Sequence, residues 1–239
     1  MATYLTLCND LARESGLSGS AASIAAVTGQ SGQALRVVKW VARSYVDIQN
    51  RHPNWRWLRS TFTVDTTASD DTYAGTDCTD SRLSATITRF KRWWPFDESG
   101  APNVKRYLTS GGVGGEGWIT YLPWSNFRAI YRIGTQNNGQ PSHFTIDPQN
   151  NLVLGQKPDA IYTVTGEYQM SAQIIAADDD TPEMPSDYHD LIYWYALEKY
   201  GRFSAAPEAL QQAQRESARL MRQLELDQLP AISFGGPLA

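Results

Sequence analysis

The side chains able to do chemistry in this sequence are few, and their spacing builds no reaction centre. The three histidines, His52, His143 and His189, never fall at a metal-ligand spacing such as HExxH, so no metal site is expected. Cys8 and Cys78 are too few for a disulfide framework and make no zinc site; they read as free thiols of a reducing compartment. The run GGVGGEG at 111–117 looks like a phosphate cradle, but it lacks the GK[ST] ending and leads into strand-like residues. It reads as a hairpin loop that can order on a partner. Asp178, Asp179 and Asp180 lack the alternating ligands and central glycine of a calcium loop, which leaves a solvated linker. With no GxSxG elbow and no nucleophile–base pair to nominate, the expectation is a protein without catalysis, cofactor or metal.

The aromatic clusters carry more information. NWRWLR at 54–59 and RFKRWWPF at 89–96 interleave tryptophan with arginine. Such clusters can stack nucleic-acid bases against phosphate-binding guanidinium groups, or stack sugars, or simply pack a core. In the first cluster, Trp55 and Trp57 alternate along a strand or turn and pack a helix–sheet junction while the arginines snorkel outward. In the second, adjacent tryptophans in extended chain must face opposite ways, so one ring is left for the surface. Trp93, Trp94 and Phe96 are therefore candidates for a subunit or tail interface, where aromatic residues and arginine are enriched. An alternative from another class is a β-sandwich carbohydrate-binding module using Trp93, Trp94, Trp118 and Trp124.

The elements that must position these residues fall into three groups. Residues 3–15 read as a short helix stopped by Gly16, and SIAAV at 23–27 as a short strand. Residues 32–50 read as a helix capped by Ser31 and ended by Pro53. Its polar stripe of Arg36, Lys39, Arg43, Asp47 and Asn50 is narrow, which predicts burial over most of its circumference. From Trp55 to Met170 the pattern changes to short β-branched or aromatic runs, FRAIYRI at 127–133 among them, separated by turn signals such as TQNNGQP and DPQNN. With no long helical pattern between them, an antiparallel sandwich or barrel is expected rather than a parallel sheet. Two helices follow, at 186–200 ended by Gly201 and at 207–226 opened by Pro207. The last thirteen residues, with two prolines and two glycines, form an extended tail that could reach roughly 40 Å.

The expected fold class is α+β: a bundle of N- and C-terminal helices with an inserted antiparallel β domain and an extended C-terminal tail. The expected divisions are 1–54, 55–175, 176–227 and 228–239. The 239 residues carry a net charge of -4, with a pI near 5.4, which argues against gripping nucleic acid. The N-terminus has neither a basic start nor an apolar run, so no signal peptide is expected, and no window is apolar enough to span a membrane.

The order of several segments resembles the head-to-tail connector, or adaptor, proteins of tailed bacteriophages. CNDLARESGLSG, TGQSGQALRVVKWVARSYVDIQ and NWRWLRSTFTV come first, then GQKPDAIYTVTGEYQ with Pro158, Tyr162 and Tyr168 at the spacing of the family's strand pair. DDDTPEMP, DYHDLIYWYALEKYG and RLMRQLELDQLP follow and are the most specific portion. The resemblance covers most of the chain and is weakest between residues 70 and 140. It implies a homo-oligomeric ring, usually a dodecamer, beneath the portal protein in the virion neck. The helical part would stack on the portal, the β part would meet a tail, nozzle or stopper protein, and double-stranded DNA would pass through the centre. Leu229, Pro230, Ile232, Phe234 and Leu238 would then form a portal-docking tail that orders on its partner.

Overall fold

The computed structural model describes residues 2–17 and 23–230. Among these residues are five α-helices, α1 (Tyr4–Glu14), α2 (Gly32–Arg51), α3 (Trp124–Tyr131), α4 (His189–Phe203) and α5 (Pro207–Gln228). The strands are β1 (Arg59–Asp65), β2 (Thr72–Tyr73), β3 (Thr79–Asp80), β4 (Ala85–Thr86), β5 (Arg92–Trp94), β6 (Lys105–Leu108), β7 (Gly117–Trp118), β8 (Thr120–Tyr121), β9 (His143–Ile146), β10 (Leu152–Gly155) and β11 (Tyr162–Gln169). The chain is α+β and divides into two units, a helical one of Met1–Leu58 with Ala172–Ala239 and a β-rich one of Arg59–Ser171.

In the helical unit, α1 buries Tyr4, Leu7, Cys8, Leu11 and Ala12, one face at helical spacing. Its first amide groups, which no helix can satisfy internally, are met by the acidic linker: Tyr4 N–H donates to the Asp180 carbonyl at 2.8 Å and Leu5 N–H to the Asp178 carbonyl at 3.2 Å. The Asp180 carboxylate accepts from the amides of Ala176 and Ala177, and these bonds hold its pKa below the usual value. Thus the linker is a docked cap rather than a freely solvated run. SIAAV is not a strand either. Its Ile24 amide donates to Asn9 and its Val27 amide to Asp178, so side chains from elsewhere take the bonds that a sheet would have used.

Helix α2 buries Ala34, Val37, Val38, Val41, Tyr45 and Ile48 along one side. The burial is narrower than its composition predicts, since Leu35 stays 39% exposed and Trp40, Ala42 and Val46 are only half-buried. Helix α4 follows a 3-10 turn at Ser186–Tyr188 and runs past Gly201 to Phe203. Gly201 does not stop the helix; it lets α5 come close. A Cβ placed there would lie 3.1 Å from the Leu210 N, Cα and Cβ atoms, and backbone cannot swing aside. Gly201→Val should therefore cost about 2 kcal/mol of stability, measured by chemical denaturation of the helical signal. A variant as stable as the parent would refute the close packing.

In the β unit, β11 is the hub. One edge pairs antiparallel with β1 along Arg59↔Gln169 to Asp65↔Thr163; the other is shared by β6 and β5. The sheet order is β4-β3-β1-β11-β6-β7, with β5 beside β6 on β11. Along β1, Ser60, Phe62 and Val64 point inward, as the twofold pleat requires. A buried carboxylate braces this core. Asp80 accepts from the Tyr168 hydroxyl at 2.6 Å and from the amides of Arg82 and Leu83 at 2.8 and 3.1 Å.

The second sheet runs β2-β10-β9-β8, and its β8–β9 pair is parallel. This corrects the expectation of wholly antiparallel pairing. FRAIYRI is not a strand: most of it lies in α3, where Trp124, Phe127 and Tyr131 stack along one face at helical spacing. Parallel neighbours need a crossover, and α3 sits in the one that joins β8 to β9. Neither sheet closes into a barrel among the described residues.

Candidate interaction surfaces

Trp93 and Trp94 take opposite sides of β5, as adjacent residues of extended chain must. Trp93 is 2% exposed; its indole N–H donates to the Asn150 carbonyl at 2.9 Å, and its ring packs edge-on against Phe62 and beside Phe90. A partner could not reach it without opening the core. Trp94 is half-buried, with the guanidinium groups of Arg59 and Arg92 4.3 and 4.7 Å from its ring. Phe96 is exposed and lies edge-on to Tyr121. Trp118 is 60% exposed with the Lys105 ammonium 5.7 Å from its ring, whereas Trp124 stacks on Phe127. The four tryptophans nominated for sugar binding therefore do not present one shared platform. In the other cluster, residues 56–58 form a 3-10 turn, and Trp55, just before it, stacks on Trp57 at 4.4 Å instead of alternating with it.

The glycine-rich run folds as two exposed 3-10 turns, Thr109–Gly111 and Val113–Gly115, joined at Gly112 with φ of +66°. Val113 lies open there, near exposed Leu108 on β6. The histidines have structural partners: His52 faces Glu225 at 2.8 Å, His143 faces the Tyr131 hydroxyl at 2.8 Å, and buried His189 bonds the Met184 carbonyl at 3.1 Å. Both cysteines are buried, and burial pushes each thiol up to about 12, aided by Asp178 beside Cys8 and by Asp77 beside Cys78. Among the described residues no cluster of histidine, cysteine and carboxylate could hold a metal, and no helix is long and apolar enough to cross a membrane.

The helical unit presents the better-formed surfaces. Where α5 ends, a groove of about 720 Å³ is bounded by His52, Pro53, Arg222, Leu226, Leu229 and Pro230, with Leu226 78% exposed. Leu229 and Pro230, the first two tail candidates, form part of its wall; Ile232, Phe234 and Leu238 lie outside the described residues. A second groove, of about 390 Å³, is lined by Asp10, Arg13 and Glu14 of α1, Asp190, Tyr193 and Trp194 of α4, and Gln212 of α5. The outer side of α5 carries Arg215, Arg219 and Arg222. In the sequence these arginines alternate with Glu216 and Glu225, which reads as charge balanced along the helix. The second groove was not legible there, because its walls come from helices nearly the whole chain apart.

Both grooves are open surface features of a kind that suits contact with other macromolecules. No curated protein matches the chain. The family model described as the SU10 adaptor protein matches residues 2–238, nearly the whole sequence. The chain therefore belongs to the SU10 adaptor protein family, and the resemblance to phage head-to-tail adaptors read from its motifs holds.

Proposed function

We propose that this protein is a structural subunit of the phage neck, assembled as a ring between the portal and the tail. The family match over residues 2–238 is the observation that carries this reading. Membership of a structural adaptor family also favours a role without catalysis. In this reading the helices act as a bundle that stacks on the portal, and the β domain, as a sandwich, carries the contact to the tail, nozzle or stopper protein. Phe96 and Trp94 are its candidate contacts, with Trp93 supporting them from the core. A net charge of -4 suits a channel that lets DNA slide, since every phosphate contact would add affinity and drag. A ring of twelve copies is the number the family resemblance implies.

The tail supplies the test. Deleting residues 228–239 should weaken binding to assembled portal by roughly tenfold or more, the loss expected for one or two apolar anchors. The helical signal of the subunit should remain. Portal affinity unchanged by the deletion, measured by sedimentation or surface binding, would remove the docking role from this segment. No observation favours carbohydrate binding as strongly, and an empty glycan array would retire it.

A further inference from the structure

Among the described residues, one face of α5 has no packing partner in its own unit. The helix turns Ala213, Ser217, Leu220, Met221 and Leu224 inward, and Arg215, Arg219 and Arg222 follow one another along the opposite side. Seven residues span about 10 Å of helix, so the three guanidinium groups rise turn by turn. Arg219 pairs with Glu216 on its own helix at 2.8 Å; among the described residues Arg215 and Arg222 form no ion pair. An arginine row on the outside of an acidic protein is a surface with a definite complement.

The same unit contains that complement. Asp10 and Glu14, one turn apart on α1, face Asp190 in the first turn of α4 across the 390 Å³ groove. Arg13, which also lines the groove, offsets Asp10 through a pair at 3.3 Å, which leaves two of the three carboxylates, Glu14 and Asp190, without an ion pair among the described residues. The groove also holds two aromatic rings, Tyr193 and Trp194, set edge to face at 4.7 Å. Burial and then the nearby Glu14, Asp10 and Asp190 raise the Tyr193 pKa, which keeps the phenol neutral. Carboxylates beside aromatic faces form a site for guanidinium, which pairs with the one and stacks on the other. This chain already uses the stacking half of that chemistry, with Arg36 lying 4.2 Å over Phe203.

We infer that the arginine row of α5 docks into the acidic–aromatic groove between α1 and α4 of a second copy of this chain. The two surfaces are different patches on one subunit, so the contact is head-to-tail, the kind that builds a ring where the rotation between copies closes. The inference rests on the ring reading and adds the surfaces that would make the ring. Lys39 and Arg43 on α2 are the competing basic face. They offer a single guanidinium group, because Arg36 is already seated on Phe203.

Assembly of the full chain, followed by native mass spectrometry and light scattering, tests the contact. Arg215→Glu with Arg219→Glu and Arg222→Glu should abolish the ring, as should Asp10→Lys with Glu14→Lys and Asp190→Lys. A chain carrying both sets should assemble again, since the charges are exchanged rather than lost. Wild-type assembly should also weaken steeply with salt, because charge pairs at a wet interface are screened. A ring that survives either reversal overturns the inference, as does one insensitive to salt or one lost instead on Lys39→Glu with Arg43→Glu. Failure of the combined chain to reassemble while each variant keeps its helical signal also counts against it. A wild-type chain that stays monomeric alone and on the portal would overturn the ring reading itself.

Discussion

Replacing Trp55 with alanine should destabilise the helical unit by about 3–5 kcal/mol, the range for emptying a large aromatic site. Trp55 is fully buried; its ring lies 4.4 Å from that of Trp57 and 5.0 Å from that of His52. Its indole N–H donates to the Ile48 carbonyl at 3.1 Å, so one side chain ties the last turns of α2 to the segment that follows. Trp55→Phe separates the two contributions. It keeps most of the packing and forfeits the hydrogen bond, so it should cost nearer 1–2 kcal/mol. Denaturant titrations followed by circular dichroism would measure both. A Trp55→Ala chain within about 1 kcal/mol of the parent would show that this ring is not a structural anchor.

Asp80→Ala should have the largest effect in the β unit, about 2–4 kcal/mol, because it leaves the Tyr168 hydroxyl and the Arg82 and Leu83 amides without their acceptor. Adding Tyr168→Phe should recover part of that loss, and a double-mutant cycle would give the coupling. The same carboxylate confers a pH dependence. Burial alone would raise the Asp80 pKa, but the bonds from Tyr168, Leu83 and Arg82 prevail and hold it below the ordinary value. A carboxyl group depressed in the folded state contributes stability above its unfolded pKa, and that contribution is lost as pH falls through the folded one. Stability of the β unit should therefore decline on acidification below about pH 4, with a shallower slope in Asp80→Ala. Equal slopes in the two proteins would exclude Asp80 as a source.

Particular residues show which features the sequence made legible. Helices α1 and α5 were readable from one-sided apolar spacing, α2 from the spacing of its polar stripe, and β1 and β11 from β-branched alternation, because these periods are local properties of the chain. FRAIYRI misled for the same reason. Its aromatic and β-branched residues favour a strand, and only the spacing of Trp124, Phe127 and Tyr131, which begins before that run, marks the helix. Gly201 carried the composition of a helix stop, yet its role depends on Leu210 of another helix. SIAAV and the aspartate run owe their conformations to Asn9 and to the open end of α1, partners that no local pattern reveals. The interaction surfaces divide likewise. An arginine row on one helix can be read by counting, whereas a groove built from Asp10 and Asp190 exists only after folding.

The interruption of the helical unit by a complete β unit bears on the order in which a growing chain can fold. During synthesis α2 leaves the ribosome with only α1 to pack against, and helix α4, which also covers its apolar side, begins at His189. At roughly 5–20 residues per second, on the order of ten seconds separate the two. The β unit can close as soon as β11 has emerged, so it is positioned to fold first while the apolar face of α2 waits. The helical unit, which carries the proposed ring contacts, is then the last part to form. That order would delay self-association until each subunit is complete, and it makes α2 the segment most in need of a chaperone.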